Sequence, residues 1–289
     1  MALTKQEWLA LEAKAHKLRM DMLETTHMAG SGHIGGGSSV ADILTILYYK
    51  YMNIKMEDPK WEDRDRCILS KGHAGIFYAG LLCDLGWNDP EQLKTFNLTG
   101  SKMGIHLDSN KVVGVDASTG SLGHGLSISV GTALAARVLG KSYKTYCVLG
   151  DGELDEGSNW EAAMSAAHFK TTDVITIVDR NGAMIDGMTE DVMALEPLHD
   201  KFTAFGFNTI RIDGHSFPAL SDAIENAFAT KDKPTCIICD TVKAAGFGAK
   251  AGDYHWHYGA LDEASYEQAK KDLEAYYAAR VATVEKEAN

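Results

Sequence analysis

The chain has 289 residues, of which 45% are hydrophobic, and it carries a formal net charge of −12 at pH 7. This acidic balance excludes a nucleic acid or an anionic membrane as the expected partner, because binding to either requires a basic patch. No repeat, low-complexity tract or Pro/Ser-rich linker interrupts the sequence, so we expect a single domain over residues 1–289.

The N-terminal segment lacks the apolar core of a signal peptide, and no apolar run approaches the length that spans a bilayer. The cysteines number five, and free thiols indicate a reducing compartment, so we expect a cytoplasmic protein. Cys236 and Cys239 have the spacing of a redox or zinc motif. They lie in a strand-like run, however, where positions three apart face opposite sides, and we interpret both as core residues.

Strand-like and helix-like patterns alternate along the chain, beginning with a helical pattern near Trp8. Strand-like runs lie at 66–70, 145–150, 173–179, 208–213 and 235–242, and helical patterns lie at 41–51, 124–139, 159–168, 217–229 and, as a polar tail, 262–289. Strands that alternate with helices predict an α/β fold, in which a parallel sheet carries helices on both faces.

A Gly-Asp-Gly turn at Gly150, Asp151 and Gly152 ends the second strand-like run, and Asn181 follows the third. Open α/β sheets bind ligands at the carboxyl ends of their strands. A carboxylate, an amide oxygen and a nearby backbone carbonyl suit a hard divalent cation such as Mg²⁺, which usually also holds a phosphate. The alternative is an ordinary turn, because Asp, Asn and Gly are common turn residues.

Five further blocks accompany this turn, namely Ser31–His33, Arg64–Ala74, Ser118–Gly125, Asp213–His215 and Lys233–Lys243. With the string from Gly150 to Gly187, their order and spacing resemble the thiamine-diphosphate signature of the transketolase family over most of the chain. The resemblance implies a thiamine-diphosphate-binding (PP-domain-like) fold. It also implies transfer of a two-carbon ketol unit from a ketose or ketose-phosphate donor to an aldose acceptor.

The resemblance further implies where the cofactor binds. Asp151, Asn181 and the backbone carbonyl of Ala183 would hold Mg²⁺ or another divalent cation such as Ca²⁺, and Gly152 would offer its N–H to the diphosphate. A second group would contact the cofactor itself, and its members are His73, Gly120, Leu122, Gly123 and Lys243.

By the same resemblance, catalysis involves three histidines and a glutamate. His33 and His257 match residues that contact diphosphate or substrate oxygens, and His106 matches one near the first hydroxyl of the substrate. A histidine can donate to such oxygens or shuttle a proton near neutral pH. Glu156 matches a carboxylate that links the two cofactor sites of a dimer through a proton relay.

The other polar candidates receive structural interpretations. Glu153 and Asp155 are predicted to cap the helix that follows them, because acidic residues favour helix N-termini. The role of His255 stays open, since the pair with His257 also fits a metal site. The remaining histidines are interpreted as structural, and these are His16, His27, His168, His199 and His215.

In the family, the glutamate that activates the cofactor lies on a second, pyrimidine-binding domain, which follows this one in a full-length enzyme. Here the sequence ends after one domain and a polar tail, so we expect the diphosphate-binding half of a split transketolase. This half would be inactive without a separate partner chain, and two copies of each would form a heterotetramer. In relatives the partner also carries most of the residues that grip the far end of a sugar phosphate.

Four residues depart from the family pattern near the substrate channel. Relatives usually have proline at Ile34, glycine and proline at Ile105 and Leu107, and glutamine at His124. Residues Ala244–Gly246 also stand where relatives usually show Gly-Lys-Gly. The departures support the hypothesis of an atypical ketose, either sulfonated or branched, and neutral drift is the alternative.

Other functions remain open. The α subunit of a 2-oxoacid dehydrogenase also splits its cofactor site over two chains, but the blocks at His33 and His73 favour transketolase. Deoxyxylulose-phosphate synthase shares several blocks, but its chain is not split. A nicotinamide dehydrogenase is disfavoured because Gly120–Gly125 reads GxxGxG rather than GxGxxG. A non-catalytic scaffold subunit that binds the cofactor is disfavoured by the intact Asp151–Asn181 pair.

Overall fold

The computed structural model describes residues 3–288 and shows a five-stranded sheet in which all paired strands are parallel. The strands are β1 (Arg66–Leu69), β2 (Thr145–Gly150), β3 (Val174–Arg180), β4 (Asn208–Asp213) and β5 (Thr235–Asp240), in the order β1-β2-β3-β5-β4. The predicted α/β fold with a parallel sheet is therefore confirmed. Each strand coincides with a predicted strand-like run, except that β3 extends one residue beyond it, to Arg180.

The helices lie between and around these strands. Within residues 3–288 they are α1 (Lys5–Ala29), α2 (Ile34–Ser39), α3 (Ala41–Ile46), α4 (Gly75–Asp84), α5 (Gly125–Val138), α6 (Gly157–His168), α7 (Thr189–Val192), α8 (Leu198–Ala204), α9 (Phe217–Ala229) and α10 (Glu263–Glu287). The first begins at a capping box between Thr4 and Glu7 and ends at Gly30, whose φ of 66° is left-handed.

Two hydrophobic cores lie on opposite faces of the sheet. Alternate residues of β2 divide between them, so that Tyr146 and Val148 enter one core while Cys147 and Leu149 enter the other. The first core also receives α1, α3, α4, α9 and α10, and the second receives α5, α6 and α8. Helices on both faces of the sheet are thus confirmed.

The two cysteines of β5 follow the same alternation. Cys239 lies in the first core and Cys236 in the second, and neither side chain is exposed. Residues three apart on a strand face opposite sides of the sheet, so the pair forms no joint redox or metal site. The prediction that both are core residues is confirmed. In the part of the chain that the structure describes, no helix combines the length and apolar character needed to cross a membrane.

Four helices in the described residues lie outside the predicted helical patterns, and they are α2, α4, α7 and α8. Glycine disfavours helices, which is why the Gly-rich sequence of α2 shows no helical pattern. Tertiary packing decides instead: a Cβ atom at Gly37 would lie 2.6 Å from the Met22 sulfur. The predicted helix at 41–51 is confirmed, although its second half, Leu47–Tyr51, widens into a π-helix.

We expect the C-terminal helix to belong to the cooperative unit. Leu273 of α10 is fully buried, and Leu273→Ala should lower the free energy of unfolding by about 2–5 kcal/mol because it leaves a cavity. Leu139→Ala is the matched control, since Leu139 is 68% exposed and should change it by less than about 0.5 kcal/mol. Urea denaturation followed by circular dichroism measures both, and equal effects would show that α10 unfolds independently.

Candidate active site

A cavity of about 340 Å³ opens at the carboxyl edge of the sheet. It lies where β1, β2 and β3 end, which is where open α/β sheets bind ligands. Most of the site residues predicted from the sequence line it, and these are His33, His73, His106, Gly120, Leu122, Asp151, Gly152, Asn181, Ala183, Lys243 and His257. Further lining residues were not predicted, among them Gly36, Lys71, Glu153, Met184 and Ile185.

The Asp151 carboxylate is held in a fixed orientation. Its Oδ2 accepts hydrogen bonds from Arg180 Nη1 at 2.8 Å, the Gly182 N–H at 2.6 Å and Thr189 Oγ1 at 3.2 Å. Its Oδ1 accepts the Gly152 N–H at 2.9 Å. This arrangement aims a carboxylate at the cavity from the end of β2. The hydrogen bond to Oδ1 occupies the Gly152 N–H, which was predicted to donate to the diphosphate.

Asn181 and Ala183 follow β3 and line the cavity beside Asp151. Asn181 Oδ1 accepts the Ala183 N–H at 3.2 Å, and Asn181 Nδ2 donates to Ser39 Oγ at 3.4 Å. The structure thus brings together the three predicted metal ligands. Their metal-binding role stays a prediction. In residues 3–288 no group of three or more His, Cys, Asp or Glu side chains is placed to hold a metal ion, so this set would combine one carboxylate with an amide oxygen and a backbone carbonyl oxygen.

The Lys243 side chain reaches the same place from the segment after β5. Its ammonium donates to the carbonyl oxygens of Ala183 at 3.0 Å and Met184 at 2.8 Å, and it lies 2.9 Å from His257 Nδ1. Burial, together with the positive charge of Lys71, lowers the pKa of Lys243 to about 8.

Four histidine rings gather on one wall of the cavity. The ring of His33 lies 5.3 Å from that of His73, 6.2 Å from His106 and 5.2 Å from His257, measured between centroids. Burial is the largest cause that lowers the pKa of His33 to about 4 and that of His257 to about 3. Burial also places the pKa of His73 well below its ordinary value. The three rings are therefore neutral at pH 7, when each has one N–H donor and one acceptor.

The cavity suits a large anion. Lys71 and Lys243 face it from different segments, and His33 Nδ1 is buried without a hydrogen-bond partner in the described chain. Gly36 leaves room beside them, because a Cβ atom there would lie 3.1 Å from His73 Nε2 and 3.3 Å from Lys71 Nζ. The ammonium and imidazole groups, with the space beside Gly36, form a donor set that fits a diphosphate.

Glu153 is a site residue that sequence reasoning misinterpreted. It does not cap α6, which lacks a side-chain cap; instead it is buried and accepts hydrogen bonds from the Gly123 and Gly150 N–H groups and from Ser70 Oγ. These donors come from three different segments around the cavity. Lys71 was also missed, although it stands two positions before His73 in the block from Arg64 to Ala74, which was the available signal.

Two predicted residues lie outside the cavity. Gly123, with φ of 89°, has its N–H on Glu153, and a Cβ atom there would meet Glu156 at 2.6 Å. Glu156 is exposed at the start of α6 and lines no part of the cavity. Its place in a relay between two sites stays a prediction. His255, whose role the sequence left open, is exposed and contacts Asp253.

The residues that depart from the family pattern also lie away from the cavity. Ile34 and Leu107 are 2% and 4% exposed in the first core. His124 is exposed and stands immediately before α5, and neither it nor Ile105 lines the cavity. None of the four therefore contributes to the wall of this cavity, and their predicted place near the substrate channel stays a prediction.

Comparison with known proteins assigns the chain to a family. The family model described as transketolase, thiamine diphosphate binding domain, matches residues 11–285. The chain is 38% identical over 269 residues to 6-deoxy-6-sulfo-D-fructose transketolase subunit SqwG of Clostridium sp. (strain MSTE9), covering 93% of this chain and 98% of that protein. It is 36% identical over 279 residues to an apulose-4-phosphate transketolase subunit of Phocaeicola vulgatus, covering 96% and 98%.

The structural comparison agrees. The transketolase from Leishmania mexicana superimposes with a TM-score of 0.86 at 29% sequence identity, covering 96% of this chain and 45% of that chain. The chain belongs to the transketolase family. It spans nearly the whole length of the two subunit relatives and slightly under half of that solved transketolase.

We expect Glu153→Gln to be destabilising although it preserves shape. The carboxylate accepts three donors, and an amide nitrogen in its place would confront one N–H and leave it unpaired. The free energy of unfolding should fall by about 1–3 kcal/mol, as measured by urea denaturation. Glu161→Gln, at an exposed position of α6, is the control. Equal stability of both variants would contradict this role for Glu153.

The buried His33 should make the fold sensitive to acid. Its pKa of about 4 lies below the ordinary 6.5, so between these values the unfolded chain binds the proton and the folded chain does not. This contribution to stability is full above pH 6.5 and is lost as the pH falls toward 4. Other titratable and charged groups around the ring are His73, His106, His257, Lys71 and Lys243.

His33→Asn removes this contribution, so the variant should lose less free energy of unfolding than the wild type between pH 7 and pH 4.5. Urea titrations at the two pH values measure the difference. His199→Asn, on an exposed side chain of α8, should leave the wild-type pH dependence unchanged. An unchanged dependence in His33→Asn would contradict the assignment.

Proposed function

We propose that the chain is the N-terminal subunit of a two-chain transketolase, which transfers a two-carbon ketol unit from a ketose donor to an aldose acceptor. The observation that carries the proposal is the cavity at the carboxyl edge. It combines two ammonium groups, neutral imidazoles and the Asp151–Asn181–Ala183 oxygen set within a fold of this family. The family membership favours this function over a 2-oxoacid dehydrogenase subunit.

The cofactors are thiamine diphosphate and Mg²⁺ or a similar divalent cation such as Ca²⁺. Asp151, Asn181 and the Ala183 carbonyl would hold the cation, with the diphosphate supplying further oxygens. Lys243 and His73 would bind the diphosphate, together with the Gly152 N–H once it leaves Asp151. When bound, thiamine diphosphate supplies the nucleophilic carbon on which cleavage of the donor depends.

The cation and Lys243 share one acceptor. The Lys243 ammonium donates to the Ala183 carbonyl at 3.0 Å, which is the oxygen proposed as a cation ligand. Two positive charges cannot both lie against one oxygen at low cost in a buried site. Lys243 would therefore turn toward the diphosphate when the cation binds, while Met184 and His257 remain within its reach.

The histidines would form hydrogen bonds to the oxygens of the substrate and transfer protons to or from them. His33, His106 and His257 lie on one wall, and burial lowers the pKa of each ring. A neutral imidazole can donate to one hydroxyl and accept a proton from another, which suits proton transfer during carbon–carbon cleavage. Gly120 and Leu122 would contact the cofactor as well, since both line the cavity, Gly120 directly beside the His106 ring.

The partner would be a second chain that carries the pyrimidine-binding domain and its activating glutamate. Support comes from the length of the relatives. The alignment covers 98% of the length of two proteins that are named as transketolase subunits, but 45% of the length of a solved transketolase. Two copies of each chain would form a heterotetramer, in which Glu156 would join the proton relay between sites. The five free cysteines, all buried, accord with a cytoplasmic location.

The donor would be a modified ketose. Support comes from the relatives, one named for 6-deoxy-6-sulfo-D-fructose and another for apulose 4-phosphate. The departures at Ile34, Ile105, Leu107 and His124 lend no support, because none of them lines the cavity.

The first experiment measures ketol transfer with thiamine diphosphate and Mg²⁺, using this chain alone and the chain copurified with its natural partner. Xylulose 5-phosphate, 6-deoxy-6-sulfofructose and apulose 4-phosphate serve as donors in parallel, with an aldose acceptor. Activity should require the partner and should be at least about tenfold higher with a modified ketose, which corresponds to roughly 1.4 kcal/mol of discrimination.

Asp151→Asn is the control for the cofactor site, because it keeps the shape of the side chain and removes the charge of the proposed cation ligand. It should abolish activity, and copurification with the partner checks that the variant still folds, because its amide would also confront one of the N–H groups that Asp151 accepts. Activity of the chain alone would overturn the split-site proposal. Equal turnover of xylulose 5-phosphate and the modified ketoses would count against specialisation.

A further inference from the structure

The segment from Thr241 to Gly246, here called the lysine loop, carries Lys243 into the cavity. The loop has no regular secondary structure, and Ala244 adopts a left-handed φ of 54°, which is unfavourable for a residue with a side chain. Nevertheless Lys243 is only 1% exposed and has three polar neighbours. Such a conformation persists only where surrounding contacts impose it.

The first of these contacts is made by His215, a residue that sequence reasoning treated as structural. Its Nε2 accepts the Val242 N–H at 2.9 Å, which means that Nε2 carries no proton. Its Nδ1 must then carry the proton, and it lies 2.7 Å from Asp42 Oδ2. The Asp42 carboxylate thus sets the tautomer that lets the ring hold the residue before Lys243.

Asp42 is in turn fixed by buried charge. The carboxylate is fully buried, and it receives Arg19 Nη1 at 2.9 Å and Nη2 at 2.8 Å. Arg19 and Arg280 hold the pKa of Asp42 well below its ordinary value, against the effect of burial. Asp42 is therefore a permanent anion in the first core, rather than a group that switches.

Two further contacts hold the other end of the lysine loop. Ser38 Oγ accepts from Arg19 Nε at 3.2 Å and donates to the Ala245 carbonyl at 2.5 Å. The Ala244 N–H donates to the Gly35 carbonyl at 3.0 Å. The residues on both sides of Lys243 are thus tied to α2 or to the Asp42–His215 pair.

We infer that the Asp42–His215 pair is a positioning device, which holds the lysine loop so that the Lys243 ammonium points into the cavity. The pair touches neither the cavity nor Lys243, and it acts through the Val242 N–H. Both residues are absent from the set that lines the cavity. His215 is consequently a positioning residue, and its loss should change where Lys243 lies without removing any group from the site.

Two variants of His215 separate its two hydrogen bonds. His215→Asn keeps a donor near Asp42 but removes the acceptor for the Val242 N–H, whereas His215→Gln places an acceptor near the former Nε2. Glu12→Gln is the matched control, because Glu12 pairs with Arg280 in the same charge network without touching the lysine loop.

The first test uses the full chain without any ligand. Reductive methylation of lysines, read by peptide mass spectrometry, reports how far Lys243 is protected. Lys71 is the internal reference, since it is equally buried in the same cavity and its ammonium is held by Asp179, the Gly36 carbonyl and Ser39 Oγ, none of which belongs to the lysine loop. His215→Asn should raise the ratio of Lys243 to Lys71 labelling by about two- to tenfold, the change that the loss of one hydrogen bond allows.

The ratio should stay at the wild-type value in Glu12→Gln, and His215→Gln should restore most of the protection. An unchanged ratio in His215→Asn would overturn the inference, as would an equal rise in Glu12→Gln. This test does not depend on the proposed function, because it contains no cofactor, substrate or partner.

The second test rests on the proposed function and measures binding of thiamine diphosphate with Mg²⁺ to the copurified two-chain complex by calorimetry. His215→Asn should weaken binding about two- to tenfold in the wild-type background and should have no further effect in a Lys243→Met background, because it acts through Lys243. Additive losses would overturn the inference. The two proposals can fail separately. If Lys243 labelling rises in His215→Asn but the wild-type complex binds no thiamine diphosphate, the positioning role stands and the proposed function is refuted.

Discussion

The buried carboxylate of Asp179, at the end of the central strand β3, is the interaction on which the carboxyl edge of the sheet depends. It pairs with the Lys71 ammonium and accepts hydrogen bonds from Ser39 Oγ and Thr241 Oγ1, and neither ion is exposed. An unpaired charge in this position would cost several kcal/mol, so the partners must stay in place. They come from the segment after β1, from α2 and from the segment after β5. One ion pair therefore fixes the three segments that surround the cavity.

This pair also explains the electrostatics of the cavity. Asp179 neutralises Lys71, whereas the partners of Lys243 at hydrogen-bond distance within residues 3–288 are two carbonyl oxygens and an imidazole. The pKa values of Lys243, His33, His73 and His257 are all lowered, with burial as the largest cause and neighbouring positive charge as the next recurrent one. A bound anion would stabilise the protonated form of Lys243, because it would supply a negative charge that no protein group in the described chain places at hydrogen-bond distance from this ammonium. The proposed diphosphate would meet this need.

Predictions from the sequence failed where a side chain acts over a long distance in the chain. Glu153 stands before a helix, and local rules favour a cap. Two of its three donors are on Ser70 and Gly123, which lie 83 and 30 positions away. Ile34 and Leu107 neighbour predicted catalytic histidines in the chain, yet their side chains turn into the first core. Adjacent residues of a turn or helix face different directions, so closeness in the chain does not place a side chain in a site.

The sequence by itself determined the parallel α/β fold, all five strands and the edge of the sheet where the site lies. Alternating hydrophobic patterns encode strands and helices locally, and parallel strands bring their carboxyl ends to one edge wherever they occur. It also supplied most of the residues that line the cavity, through motifs with preserved spacing. Only the tertiary structure decided that Glu153 joins three segments, that Gly-rich residues 34–39 form a helix, and that Asp42 and His215 hold the loop of Lys243. These depend on burial and on contacts between segments far apart in the chain, where packing overrides local preference.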